Sequence, residues 1–443
     1  MATAMAWALV ILVGLLLLVL TVIAIVLLFL TALHDSIGPL PPRDGDTSID
    51  VDKSPLLRHL PFLKTRLAWT PLGVFPTPVH TARLPNLNGP HKDGHFFIKR
   101  EDLSSPLYGG NKVRTLQHQL AACAIHYEKH PEAKFLTIGS SGSNQNVATV
   151  VHGQAMGLPI HPTLAKPDAP DFDNTLNVLS ILSFNPSVVR VWTRPCDMIT
   201  AYLRALFFNA DKIFVMGGNN MLGVLGQIGG ILELAEQIEA GELPDVDRLY
   251  VAVGSTCTLA GLVLGVCLAR HLGLKAHGRK NAWFLFSLSI SRYIPLFPRF
   301  ALARVSKYLK EQGLNVELEP LAVKFLKESV EIVTDKELIG AYGTHSVPSL
   351  AAAAFDKIIQ VEGKQPEWMA SLGEDERNKA MTPWLCGHFV AKSFAKLVDD
   401  LQQESEKPAK PFVRLFWQIK SWIQPHGGAD EWSRLNQLAS INV

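Results

Sequence analysis

The chain divides by pattern into two regimes. From Met5 to Leu33 no position is charged and nearly all are Leu, Val, Ile or Ala. Beyond His34, short apolar runs alternate with Gly/Ser-rich turns and longer amphipathic stretches. Phe135–Ile138 leads through Gly139–Ser143 into a helical run from about Asn144 to Met156. Leu249–Val253 leads through Gly254–Thr258 into a run from Leu259 to about His271. A third unit starts with the apolar Phe96–Lys99, turns at a Ser/Pro-rich segment and Gly109–Gly110–Asn111–Lys112, and continues as a helical run from Val113 to about Tyr127. Strands of about five residues alternating with helices of about a dozen predict an α/β fold with parallel sheets covered by helices. Ligands in such folds lie beyond the carboxyl ends of the strands.

The 29 uncharged residues of the first regime would make a helix of roughly 43 Å, longer than a bilayer core of about 30 Å. The run lacks the basic start and the shorter apolar core of a cleaved signal peptide. It predicts a single-pass transmembrane anchor over 1–34. Arg43, Lys53, Arg58, Lys64 and Arg66 follow the run and none precedes it, which puts the remainder on the cytoplasmic side. Residues 35–65, punctuated by Pro39, Pro41, Pro42 and Pro55, read as a linker, and 66–443 as the working unit, with a smaller α/β domain inserted at about 115–225. The Lys364–Met381 stretch is polar enough for a surface loop, and Phe412–Ile423 reads as a final core strand and its flank.

Composition narrows the functional classes. The net charge of +2 gives no bulk field for nucleic acid, and 19% charged residues exclude global disorder. The five cysteines form no C-x-x-C pair and no disulfide framework, as expected of a reduced, cytosol-facing chain. His152, His345 and His388 lack metal-ligand spacing.

Both Gly/Ser loops present backbone N–H groups at a helix N-terminus, where the dipole favours an anion. Two such loops suit a ligand with two anionic ends. Lys112 falls in the first turn of a helix, where the dipole disfavours its ammonium form. A Schiff-base lysine needs that, since only the free amine attacks a carbonyl. A phosphate, a carboxylate and an activated lysine converge on pyridoxal phosphate chemistry with an amino acid.

Lys99–Arg100–Glu101–Asp102 followed by Gly109–Gly110–Asn111–Lys112–Val113–Arg114 resembles the K-R-E-D…G-G-N-K-x-R signature of the 1-aminocyclopropane-1-carboxylate deaminase and D-cysteine desulfhydrase family. Phe75–His80 is similar to that family's G-P-T-P entry, Ser143–Asn144–Gln145 to its S-N-Q, and Gly217–Gly226 to its G-G-S-N-x-L-G-x-L-G run. Tyr342–Gly343 resembles its Y-G, and Pro425–Gly428 its terminal H-T-G-G. The resemblance implies a tryptophan-synthase-β-like fold of two parallel-sheet α/β domains with pyridoxal 5'-phosphate between them. It implies Lys112 as the lysine that carries the cofactor, Asn144 as the partner of the cofactor's 3′-oxygen, and Gly254, Ser255, Thr256, Cys257 and Thr258 as the phosphate loop. Ser143, Asn144 and Gln145 would hold the substrate carboxylate, with Ser143 also handling protons. Tyr342 would contact the substrate, and His426 would stand near the pyridine nitrogen.

Three departures mark this chain. Thr256 and Cys257 replace two glycines of the family's phosphate loop, and Thr256 adopts the required backbone angles poorly. Leu385 stands where the family has a tyrosine that assists proton transfer. His426 replaces a threonine. The expected protein is a membrane-anchored, homodimeric lyase or deaminase that acts on a small amino acid and releases ammonia and a 2-keto acid. The other reading is a catalytically degenerate homologue acting as an anchored scaffold or sensor.

Overall fold

The computed structural model describes residues 36–43, 50–89, 92–165, 172–184, 189–192, 211–275, 283–288, 297–333, 335–340, 345–387, 389–404 and 412–421, together with Gly14. The predicted membrane span apart from Gly14, together with Tyr342, His388 and His426, lies outside the described residues. Among the described residues no helix is long and apolar enough to cross a membrane.

Eleven strands are described: β1 (Val79–Leu84), β2 (Gly94–Arg100), β3 (Phe135–Ser140), β4 (Ile160–Ala165), β5 (Arg190–Trp192), β6 (Lys212–Phe214), β7 (Arg248–Val253), β8 (Trp283–Leu288), β9 (Val330–Val333), β10 (Gln360–Glu362) and β11 (Arg414–Gln418). They form two sheets. The larger runs β10-β1-β2-β11-β7-β8-β9 and the smaller β5-β4-β3-β6. The smaller sheet is parallel throughout, and so is the larger from β2 to β9; β1 alone pairs antiparallel, with β2 and β10. The smaller sheet arises wholly from residues between β2 and β7. Every residue of β11 is buried, because it lies between β2 and β7 with helices on both faces, so the Phe412–Ile423 expectation holds for its strand.

Helices Lys112–Lys129, Met221–Glu239 and Cys257–His271 bring their first turns toward one region. Glycines allow them to approach. A Cβ on Gly226 would lie 1.9 Å from the Arg114 carbonyl oxygen, and one on Gly261 would lie 2.2 Å from Gln227 Cβ. Larger side chains would push apart the helices that carry the site.

Two expectations are corrected. Residues 35–65 are not a free linker where described. Ile37 is buried, Leu56, Leu57, Leu60 and Leu63 join the main core, and Arg58 pairs with Glu236. The apolar content of Pro55–Leu63 accounts for this: its leucines have a core to join, which a solvated linker does not. Lys364–Met381 lies largely at the surface but is more than a loop. It forms helix Glu374–Met381 and a 3-10 turn at Glu367–Ser371, buries Met369 and Ala380, and offers the Ala380 and Met381 carbonyls to the Arg100 guanidinium at 2.6 and 2.7 Å. A buried guanidinium needs acceptors from every side, and this segment supplies two.

Candidate active site

Lys112 begins its helix, and no side chain caps that helix. The side chain is partly buried, and its Nζ donates to the Gly217 carbonyl at 2.8 Å. Burial lowers its pKa, outweighing the opposing effect of Cys257. A carbonyl dipole is a weak partner for an ammonium, so this environment favours the free amine.

The lysine rests on a buried lattice of charges, which explains its neighbouring motif. Arg114, two residues on, donates to both Glu101 oxygens at 2.7 and 2.8 Å and to Glu233 Oε1 at 2.7 Å. Lys99 donates to Glu233 Oε1 at 2.6 Å and to the Thr77 carbonyl at 2.7 Å, and Arg100 chelates Asp102. Three cations thus meet three carboxylates in the core. Sequence reasoning missed Glu233. Its signal was a lone carboxylate within the apolar run Ile228–Leu234.

The Gly254–Thr258 loop follows β7 at its carboxyl end and opens helix Cys257–His271. No side chain caps this helix either, so the first-turn N–H groups are left for an anion. Thr256 has φ +67, the left-handed region that the family's glycine would enter freely. Two bonds hold it there, because Asn219 Nδ2 donates to the Ser255 carbonyl at 2.7 Å and to Thr256 Oγ1 at 3.1 Å. Gly217 packs on the same loop, where a Cβ would lie 2.1 Å from Ser255 Oγ. Cys257 is buried against the Gly218 carbonyl, and burial pushes its thiol up to about 11. Asn111 Nδ2 donates to Thr258 Oγ1 at 2.8 Å, tying the lysine's helix to the loop.

Ser143–Asn144–Gln145 stands at the carboxyl end of β3. Ser143 Oγ accepts from Asn146 N and caps helix Asn144–Ala155, so it has a structural duty besides any chemical one. Gln145 lies against the glycine loop, since a Cβ on Gly218 would be 2.8 Å from its Oε1. Asn144 sits in a knot that sequence reasoning missed. Its Oδ1 accepts from Lys420 Nζ at 2.8 Å, Asn177 Nδ2 at 3.1 Å and Tyr108 Oη at 3.4 Å, and Lys420 also donates to Asn177 Oδ1 at 2.6 Å. The only signal for Lys420 was a lysine directly after an apolar strand. Leu385 is buried in the main hydrophobic core, so a ring at this position would have to displace packed neighbours.

Lys112, the Gly254–Thr258 loop, the Gly217–Asn219 turn and Ser143–Gln145 are therefore brought together. With that geometry in hand, similarity to known proteins can be set beside it. Residues 70–276 match the pyridoxal-phosphate dependent enzyme family. A D-cysteine desulfhydrase of Klebsiella pneumoniae is 29% identical over 198 residues, 43% of this chain and 58% of the relative, so the match spans little more than half of that protein. The crystal structure of an ACC deaminase homologue superposes with TM-score 0.56 at 18% identity, over 86% of this chain and 98% of that one. A hydrogen sulfide-producing enzyme of Fusobacterium nucleatum gives TM-score 0.44 at 14% identity, over 78% and 85%.

Pyridoxal phosphate is the cofactor of this site, and the residues fit it. Among the described residues Ser141 Oγ, Gln145 Oε1 and Asn219 Oδ1 are buried without a partner around the two loops, the Cys257 helix start is uncapped beside them, and Lys112, of lowered pKa, reaches the Gly217 turn that packs on that loop. Such unpaired polar groups are costly unless a polar ligand joins them.

Proposed function

We propose that this protein is a membrane-anchored lyase or deaminase that uses pyridoxal phosphate to eliminate from, or open, a small amino acid of the D-cysteine or 1-aminocyclopropane-1-carboxylate type. The observation that carries the reading is Lys112: a partly buried lysine of lowered pKa, at a helix start, facing the Gly217 carbonyl beside an uncapped anion loop. When bound, the cofactor supplies an electron sink for charge developing at the substrate Cα.

The chain's own residues supply the rest. The Gly254–Thr258 amides would hold the phosphate. Lys112 Nζ, kept as an amine, would be the point of covalent attachment and, when free, the base that takes the proton from Cα. The start of the Asn144 helix faces the carboxylate, where Ser143 and Gln145 orient it. With D-cysteine, water and substrate yield sulfide, ammonia and pyruvate. The scaffold reading gives no reason for an activated lysine between two anion sites.

The uncharged run at Met5–Leu33 supports a membrane anchor with the catalytic unit on the cytoplasmic side. The test uses the full chain in detergent with added cofactor. The expected results are a visible absorption band, a borohydride-fixed label on Lys112, and sulfide from D-cysteine or ammonia from the cyclopropane substrate. Absence of the label on Lys112 overturns the site; a labelled protein inert toward both substrates overturns the substrate class. Release of the chain from membranes by carbonate overturns the anchor.

A further inference from the structure

We propose that Lys420 is a positioning residue for the cofactor: it fixes the Asn144 carboxamide with its N–H groups toward the ring and brings a positive charge beside the ring's 3′-oxygen, holding that oxygen as an anion. The proposal rests on the reading of the site given above, in which Asn144 partners that oxygen.

The geometry begins with the backbone. Lys420 follows β11 and bridges Gly110, while Asn111 N donates to the Ile419 carbonyl at 3.3 Å and Gly109 N to Ser421 Oγ at 3.0 Å. Lys420 is thereby locked beside the turn that ends in Lys112. A Cβ on Gly110 would lie 2.5 Å from the Ile419 carbonyl oxygen, so the contact admits only glycine. From this anchorage in the larger sheet, the side chain crosses to Asn144 and Asn177 of the smaller domain, 1% exposed, with Nζ 5.0 Å from the centre of the Trp384 ring.

The donor inventory then fixes the orientation. An ammonium has donors and no acceptor, so the atoms facing it at 2.8 and 2.6 Å are the oxygens of both carboxamides. This removes the usual ambiguity of an amide flip. Asn144 Oδ1 is further claimed by Tyr108 and Asn177, and among the described residues Asn144 Nδ2 makes no hydrogen bond. The group Asn144 offers to a ligand is therefore a donor, which suits an anionic oxygen. A nearby cation favours that anion again, both through space and by polarising the carboxamide. The match to the family's H-T-G-G run at Pro425–Gly428 gave no indication of a lysine here.

The test reads the cofactor's own titration in full-length holoenzyme. An opposite charge within about 4–6 Å lowers an anion's pKa by about one to three units. Removing it in Lys420→Met or in the neutral Lys420→Gln should raise the pH midpoint of the visible-band change by about one unit or more, while Lys420→Arg keeps it near wild type. Among the described residues, the other titratable groups around the site are Tyr108, His152 behind it, and Lys112 and Cys257 across the loop. All are present in every variant, so none produces a difference between them. Lys420→Gln retains a hydrogen-bond donor, so it remains informative where Lys420→Met does not fold. An unchanged midpoint in Lys420→Gln, with the band present, overturns the proposal. A wild-type protein without any band overturns the reading of the site instead.

Discussion

Lys112 and Thr256 show how much a single residue can reveal. Lys112→Ala should abolish both label and turnover yet leave the unfolding midpoint close to wild type, because among the described residues the side chain makes one hydrogen bond, to the Gly217 carbonyl, and no packing core depends on it. Urea unfolding beside the activity assay separates the two effects. Thr256 is held at φ +67, where a β-branched residue is strained by about 1–2 kcal/mol. Replacing it by Ala removes the hydroxyl that Asn219 bonds and keeps the strain; replacing it by Gly removes both. Thr256→Gly should therefore be more stable than Thr256→Ala by about 1 kcal/mol, the reverse of the usual order of these two residues. Equal midpoints in the two variants would mean that the loop relaxes without strain. The sequence already pointed to this conflict, since a threonine stood where a turn wants glycine. It could not point to Lys420, whose importance lies in what its side chain reaches across the cleft, a contact between residues more than 240 apart.

Elements were legible where their pattern was local. The strand–loop–helix units at Phe135, Leu249 and Phe96 follow from short apolar runs ended by glycine and serine. The buried ion lattice was not, because β2, the Lys112 helix and the Met221 helix each supply only part of it. Its energetics follow from burial. Burial alone would raise the Glu233 pKa, but Arg114 and Lys99 outweigh it and bring the carboxyl to about 2, from an ordinary 4.5. A depressed carboxylate stabilises the fold above its unfolded pKa, so this contribution is present above about pH 4.5 and lost as pH falls toward 2. His80 and His118 are lowered to about 4 by burial, His80 also by Arg100, and are neutral in the fold. Their contribution is complete above about pH 6.5 and declines toward pH 4, at about 1.4 kcal/mol per pH unit for each. Urea midpoints should thus decline in two successive stages on acidification, the histidines first. At neutral pH Glu233→Gln should lose about 3–5 kcal/mol, the usual effect of stripping one partner from a buried pair. A loss below 1 kcal/mol would mean that Lys99 or Arg114 finds a new acceptor.

At the scale of the whole molecule, the segment between the uncharged run and the catalytic unit changes the meaning of the anchor. Ser36 Oγ donates to the Ile213 carbonyl at 2.9 Å and accepts from Ile213 N, at the β6 edge of the smaller sheet. Only His34 and Asp35 separate Leu33 from Ser36, a reach of roughly 10 Å at full extension. If the run spans a bilayer, the β6 edge is held close to it rather than on a loose tether. The same segment touches the site. The Ile37 carbonyl accepts from Asn220 Nδ2 at 3.3 Å, and Asn220 caps the Met221 helix, next to the Asn219 that steadies the phosphate loop. Progressive truncation separates these roles. A chain starting at residue 35 keeps every one of these contacts and should bind the cofactor as the full protein does. A chain starting at residue 50 loses Ser36, Ile37 and Leu40 but keeps the Leu56–Leu63 packing, and should fold with weakened cofactor affinity. A chain starting at residue 66 loses four core leucines, each worth about 1.5–3 kcal/mol, a sum comparable with the entire stability of a typical domain. It should fail to fold. The measurements are soluble yield, urea midpoint and cofactor titration for each chain. Equal cofactor affinity in the chains from 35 and 50 would show that the segment steadies the body without reaching the site, and a stable chain from 66 would show that these leucines are covered without being needed.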